Sequence, residues 1–187
     1  IIDPILYETV PVKYSISSAL SVFALSFDIY MSNTLNILNE PLIKYAMKTS
    51  IGGINKLIVD SSNIDNISSM AMANMLCAAS ACNGNLGAIR ALSIALNSVY
   101  SVNKSIVCSI MLPYVMEYYI AMAPNKYNAL ADFIEDINEE MTPIEIAIQS
   151  EQYIKKIQQD INLPMRLNEI NIDRSKFDKV SELALSY

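Results

Sequence analysis

Apolar residues along this chain recur mostly at steps of three and four, and seldom alternate with polar ones. From Ser15 to about Ser32, Ala19, Leu20, Phe23, Ala24 and Phe27 mark one face of a helix. "NEPLIKYAMKTSIGGINKLIVD" predicts a second helix, started by Pro41 and weakened or kinked at Gly52-Gly53. Asp65 to Cys82 is rich in Ala and Met and polar on few faces, which predicts a buried helix. A short helix from Leu86 to Leu96 follows Gly84, and an apolar helix from Ser105 to Met122 carries Pro113 within it. "PNKYNALADFIED" predicts a helix with Pro124 near its start. Thr142, Pro143 and Glu145 then form a capping-box signature ahead of "IEIAIQSEQYIKKIQQDI". "LPMRLNEI" reads as a loop. "DRSKFDKVSELALSY" reads as a last amphipathic helix, with Phe177, Val180, Leu183 and Ala184 on one face. Ahead of all these, "IIDP" reads as the tail of a strand that stops at Asp-Pro, and residues 5–14 as an extended connector with Pro11. The expected division is residues 1–14 as strand end and connector, and 15–187 as a helical domain.

Composition narrows the fold class. The chain has 187 residues, enough for one domain with a core; 52% are hydrophobic and 17% charged, which excludes a disordered chain. Four Gly, four Phe and no Trp are too few for a sandwich or barrel, with their turn glycines and aromatic strands. The expectation is an all-α bundle of roughly seven to nine helices.

Charge and targeting signals narrow the partners. A net charge of −6 without any run of Lys or Arg argues against nucleic acid. The most apolar window, Ser105 to Ala123, holds Pro113 and Glu117 and is flanked by Lys104 and Lys126. It therefore reads as a core helix and not as a membrane span of about 20 apolar residues. There is no basic leader or cleavage signal, and the chain opens on Ile, as a fragment or trimmed chain would. Cys77, Cys82 and Cys108 are an odd number without framework spacing, so free thiols and a cytoplasmic location are expected.

Candidate chemistry is limited by one absence: the sequence has no histidine. That removes the usual general base and the commonest transition-metal ligand. Cys108 has no His to activate it, so it is expected to be buried and structural. Cys77 and Cys82 are neither a redox pair nor a zinc knuckle. Tyr100, Tyr114, Tyr118 and Tyr119 are expected to pack with a polar tip. The acidic residues from Asp132 to Glu151 read as solvated helix faces, without the Gly or the ligand spacing of a calcium loop.

Several segments carry a resemblance. "IIDP…TVPVK", "LGAIRALSIALNSVYSVNKSIVCSIMLPYVMEYY", "APNKYNALADFI" and "INLPMRLNEINID…LALSY" are similar to the C-terminal helical domain of the iron-containing alcohol dehydrogenases. The second segment aligns without a gap to a family pattern reading roughly LG-x-x-H-A-x-x-H-x-L-G, then P-H-G, then N-A-x-x-L-P-x-V-M. The scaffold positions Leu86, Gly87, Leu112 and Pro113 are kept. The resemblance implies an upstream nucleotide-binding domain that is missing here, with NAD(P) bound there and iron or zinc held by the helical domain. Nothing in this chain resembles G-x-G-x-x-G.

The resemblance also places the family's metal ligands. Its Asp falls on Ser21 and the His one turn later on Leu25. Its next His falls on Arg90, and the His of P-H-G on Lys104, between Asn103 and Ser105. A further, substrate-side His falls on Ile94. A hydroxyl, an alkyl group and two cations cannot hold a divalent ion. The expectation is therefore no catalytic, cofactor or metal residue in this chain. It would be a catalytically degenerate domain serving structure, assembly or regulation, with self-association or a partner protein domain, no nucleic acid and no membrane. The alternative is one part of an active NAD(P)- and metal-dependent dehydrogenase completed by a missing domain or partner chain. Arg90 and Lys104 could form an anion site, or Arg90 could pair with Asp28, seven residues beyond Ser21.

Overall fold

The computed structural model of the chain describes residues 2–33, 35–82, 87–134, 137–138 and 140–187. Among them there are helices and no strand. Leu86 of the resemblance, Gly84 ahead of it, and part of the acidic stretch (Glu135, Asp136, Glu139) lie outside the described residues. The chain forms two compact units, Ile1–Asn85 and Leu86–Tyr187.

The first unit opens where a strand end was expected, and Asp3 and Pro4 explain the difference. The Asp3 carboxylate accepts from Ile5 N at 3.1 Å and Pro4 fits the first helical position, so a 3-10 helix forms over Pro4–Tyr7. Pro11 then caps α1, Val12–Met31, which starts three residues earlier than its periodicity suggests. Most of α1 is buried, and Phe23 and Phe27 stack at 6.3 Å. Next, α2, Asn39–Val59, runs unbroken through both glycines, so the expected weak point is not a break. Gly53 is buried against the next helix, where Asn66 Nδ2 donates to its carbonyl at 3.4 Å. That helix, α3, Ile64–Ala81, is capped by Asn63, whose side chain accepts from Asn66 N at 3.0 Å. It is not the buried helix expected: Ile67, Ala73, Cys77 and Ser80 form one inward stripe, while Met72 and Met75 face outward. Ala and Met favour helix without demanding burial on every side. Helices α1, α2 and α3 all pack on one another.

In the second unit α4, Ala88–Tyr100, extends four residues past its expected end. It stops at Ser101, in the left-handed region at φ 54°, and Asn97 Nδ2 closes the turn on Val102 O at 2.6 Å. After it comes α5, Lys104–Met122, with Pro113 inside. "PNKYNAL" is a 3-10 helix, Pro124–Leu130, followed by turns. The predicted capping box opens α6, Pro143–Asp160. The expected loop at 163–170 ends in a 3-10 helix, Leu167–Ile170. A 3-10 turn, Arg174–Lys176, leads into α7, Phe177–Leu185. Val180 of α7 is buried with Ala95, Leu96, Val107 and Ile172, and Phe177, Leu183 and Ala184 pack against them, as the amphipathic pattern predicts. By length and composition α1 and α5 could each cross a membrane; 72% and 44% of their apolar windows are buried inside the protein.

Candidate functional site

Ser21, Leu25 and Asp28 sit at intervals of one and two turns on α1, so they share a face of that helix. Ser21 and Asp28 are buried and Leu25 is half-buried. The other assigned positions belong to the second unit. Arg90 lies in the first turn of α4, half-buried, and its carbonyl accepts from Ser93 Oγ at 2.9 Å. Ile94 follows one turn later and is half-buried. Lys104 is the first residue of α5 and is exposed.

The cap of α5 explains what replaced the family's Pro and Gly. Asn103 accepts from Ser105 N at 2.9 Å and from Ile106 N at 3.3 Å, so it holds two of the helix's orphan donors. The signal was present in the sequence, as Asn just ahead of an apolar helical run. Neither α4 nor α5 has an acidic residue in its first turn. Each instead carries a cation at the end where the helix dipole is already positive. Such an end attracts an anion and repels a divalent cation.

The donor set at the assigned positions is one neutral hydroxyl (Ser21), one alkyl group (Leu25), a guanidinium (Arg90) and an ammonium (Lys104). These residues do not fit iron or zinc, which need several lone-pair donors of carboxylate, imidazole or thiolate type. Among the described residues, no group of three or more His, Cys, Asp or Glu could hold a metal ion.

None of Cys77, Cys82 and Cys108 forms a disulfide; Cys77 and Cys108 are buried and Cys82 is exposed. Of the tyrosines expected to pack with a polar tip, Tyr100 and Tyr119 are half-buried, whereas Tyr114 and Tyr118 are exposed. Tyr100 Oη donates to Asp173 O at 2.7 Å under the Lys176 ammonium, 5.5 Å from its ring centre. Tyr114 Oη reaches Met165 O at 3.4 Å, and Tyr118 meets Tyr119 edge-on.

Two structural residues escaped the sequence reading. Tyr127 is fully buried, donates to Met116 O at 2.5 Å, and has its phenol pushed well above the usual range, chiefly by burial. Gln158, 1% exposed, donates to Ser109 O at 2.6 Å. Neither stands out by type or spacing, because each acts across two elements.

Residues 15–187 match the family model described as Fe-containing alcohol dehydrogenase family, C-terminal. The chain belongs to that family. It is 22% identical over 183 residues to 1,3-propanediol dehydrogenase of Citrobacter freundii, a match spanning 98% of this chain and 47% of that protein. The crystal structure of a 1,3-propanediol oxidoreductase superposes with a TM-score of 0.91 at 20% identity, covering 99% of this chain and 48% of the other. An alcohol dehydrogenase from Oenococcus oeni gives a TM-score of 0.89 at 23% identity, covering 98% and 48%. The chain thus spans about half the length of the curated relatives it matches.

Proposed function

We propose that this chain is a helical domain of the iron-containing alcohol dehydrogenase family that has lost its metal centre and acts in structure, assembly or regulation rather than turnover. The observation that carries this reading is the donor set Ser21, Leu25, Arg90 and Lys104 in a chain without histidine. The chain itself holds neither NAD(P) nor metal on this reading, and its partner is a second copy or another protein domain. A cytoplasmic location fits three cysteines that form no disulfide. The test is elemental analysis after loading the purified 187-residue chain with Fe(II) or Zn(II) and removing excess. Less than about a tenth of an equivalent is expected for a site with one neutral oxygen donor; one equivalent per chain overturns the proposal.

The alternative is one half of an active metal- and NAD(P)-dependent enzyme, oxidising a short diol such as 1,3-propanediol. It is favoured by the match to only about half of each relative. Diol-dependent reduction of NAD(P)+ that a chelator abolishes would establish it.

A further inference from the structure

The first unit contains a half-open pocket of about 120 Å³ that lies apart from the metal-ligand positions, since neither Ser21 nor Leu25 lines it. Its floor is apolar and closed: Ala19 and Val22 from α1, Leu57 from α2 and Ile67 from α3 are all buried. Its rim is polar and wet, with exposed Ser18 on α1 and exposed Asn74 on α3. Tyr7, at the end of the Pro4–Tyr7 3-10 helix, lines it as well, together with Val10, half-buried Ser15, Met70 and Ala71. Among the described residues, no Lys, Arg, Asp or Glu lines the pocket.

Each feature restricts the ligand. A charged group entering an apolar floor with no counter-charge would lose its hydration uncompensated, so the ligand is neutral. An apolar cavity of about 150 Å³ holds a benzene ring, so this volume encloses about five non-hydrogen atoms and leaves the polar end of a slightly larger molecule at the opening. The contrast between apolar floor and polar rim favours a molecule with one hydrogen-bonding end. A purely apolar molecule would offer no hydrogen-bond partner to the exposed Ser18 hydroxyl and Asn74 amide at the rim.

We propose that this pocket, between α1, α3 and the N-terminal 3-10 helix, binds a small, uncharged, amphipathic molecule: a monocyclic or short-chain compound with a single hydroxyl or carbonyl group. The apolar part occupies the Ala19–Val22–Ile67 floor and the polar end meets Ser18 and Asn74.

The test is NMR titration of the 187-residue chain with benzyl alcohol, with toluene and benzoate as comparison probes. Saturable binding of benzyl alcohol is expected, with intermolecular contacts to the methyl groups of Val22 and Ile67. Benzoate should bind at least tenfold more weakly. Ala71→Leu adds bulk at the half-buried pocket wall and should weaken benzyl alcohol at least tenfold while leaving the circular dichroism unchanged. Ser18→Ala with Asn74→Ala should weaken benzyl alcohol severalfold and leave toluene unaffected. The site is overturned by no saturable binding, by contacts confined to methyl groups that do not line the pocket, or by unchanged affinity in a folded Ala71→Leu chain. Should that variant not fold, the methyl contacts alone decide. Equal affinity for benzoate, or equal loss of toluene in the rim variant, overturns the ligand class.

Discussion

A proline inside a helix leaves one carbonyl without its donor. In α5 the missing N–H is that of Pro113, and the carbonyl it would have served is that of Ser109, four residues back. Gln158 of α6 fills the gap at 2.6 Å, deep in the second unit. This explains how Leu112-Pro113 can lie in the middle of a core helix. Gln158→Leu should destabilise the chain by about 1 kcal/mol, the lower part of the range for an orphaned buried acceptor. The low figure follows because the change also removes the buried Gln158 Oε1, which accepts no hydrogen bond among the described residues. In a Pro113→Ala background the restored backbone N–H would serve Ser109 O, so the cost of Gln158→Leu should fall by at least half. Urea denaturation of the four proteins as a double-mutant cycle measures this; an unchanged cost would disconnect Gln158 from the proline.

At the scale of elements, α2 shows how two adjacent glycines differ. A Cβ on Gly52 meets nothing within 4 Å, whereas one on Gly53 collides with the Met70 side chain and approaches Asn66 Oδ1 at 3.4 Å. Gly52→Ala should therefore stabilise the chain by about 0.5–1 kcal/mol through helix propensity. Gly53→Ala gains the same propensity but must displace Met70, and overpacking costs about 1–3 kcal/mol, so the net effect is zero or destabilising. Thermal melts of the two variants should move in different directions or by clearly different amounts. Equal stabilisation would mean that α2 and α3 are less closely packed than this.

The capping box of α6 gives a pH prediction. Glu145 accepts from Thr142 N and Thr142 Oγ1, both at 2.7 Å, and Thr142 Oγ1 accepts in turn from Glu145 N at 3.4 Å. The backbone bond first, and the hydroxyl bond second, hold the Glu145 carboxyl below its ordinary value. A folded-state pKa below the unfolded one means stability present above the unfolded value, near about 4.3, and lost as pH falls through the lowered one. Glu145→Ala should lower the melting temperature at pH 7, and the gap to the parent should close as pH drops below about 4. A gap independent of pH would assign the effect to something other than the carboxylate.

At the scale of the molecule, exposed apolar residues concentrate at the N-terminal end of the first unit. Ile5, Leu6 and Tyr7 are 64%, 74% and 51% exposed, and Val12 and Tyr14 on the first turn of α1 are also exposed. Single exposed apolar residues are ordinary, but a run of them suits a covered face. If self-association or a partner domain covers it, Ile5→Glu with Leu6→Lys should raise the monomer fraction of the chain in sedimentation velocity. An unchanged distribution would exclude this face from self-association.

Local rules made much of the fold legible. The periodicity of α1 and α7, the apolar run of α5 and the Thr142–Glu145 cap each depend on neighbours within a turn or two of the same helix, so they show in one dimension. The same holds for the side-chain types at positions 21, 25, 90 and 104, which the sequence prints directly. The N-terminal 3-10 helix was legible in principle, since Asp-Pro is a helix-start signal as much as a strand stop. What no window of sequence contains is which carbonyl an amide 49 residues away will reach, or which of two glycines faces another helix. By itself the sequence determined an all-helical chain and the chemistry missing from its assigned ligand positions, because propensity, capping and side-chain type are local. Only the tertiary structure decided the Gln158–Ser109 closure, the Gly53–Met70 contact and the pocket under Tyr7, because each exists only where separate helices meet.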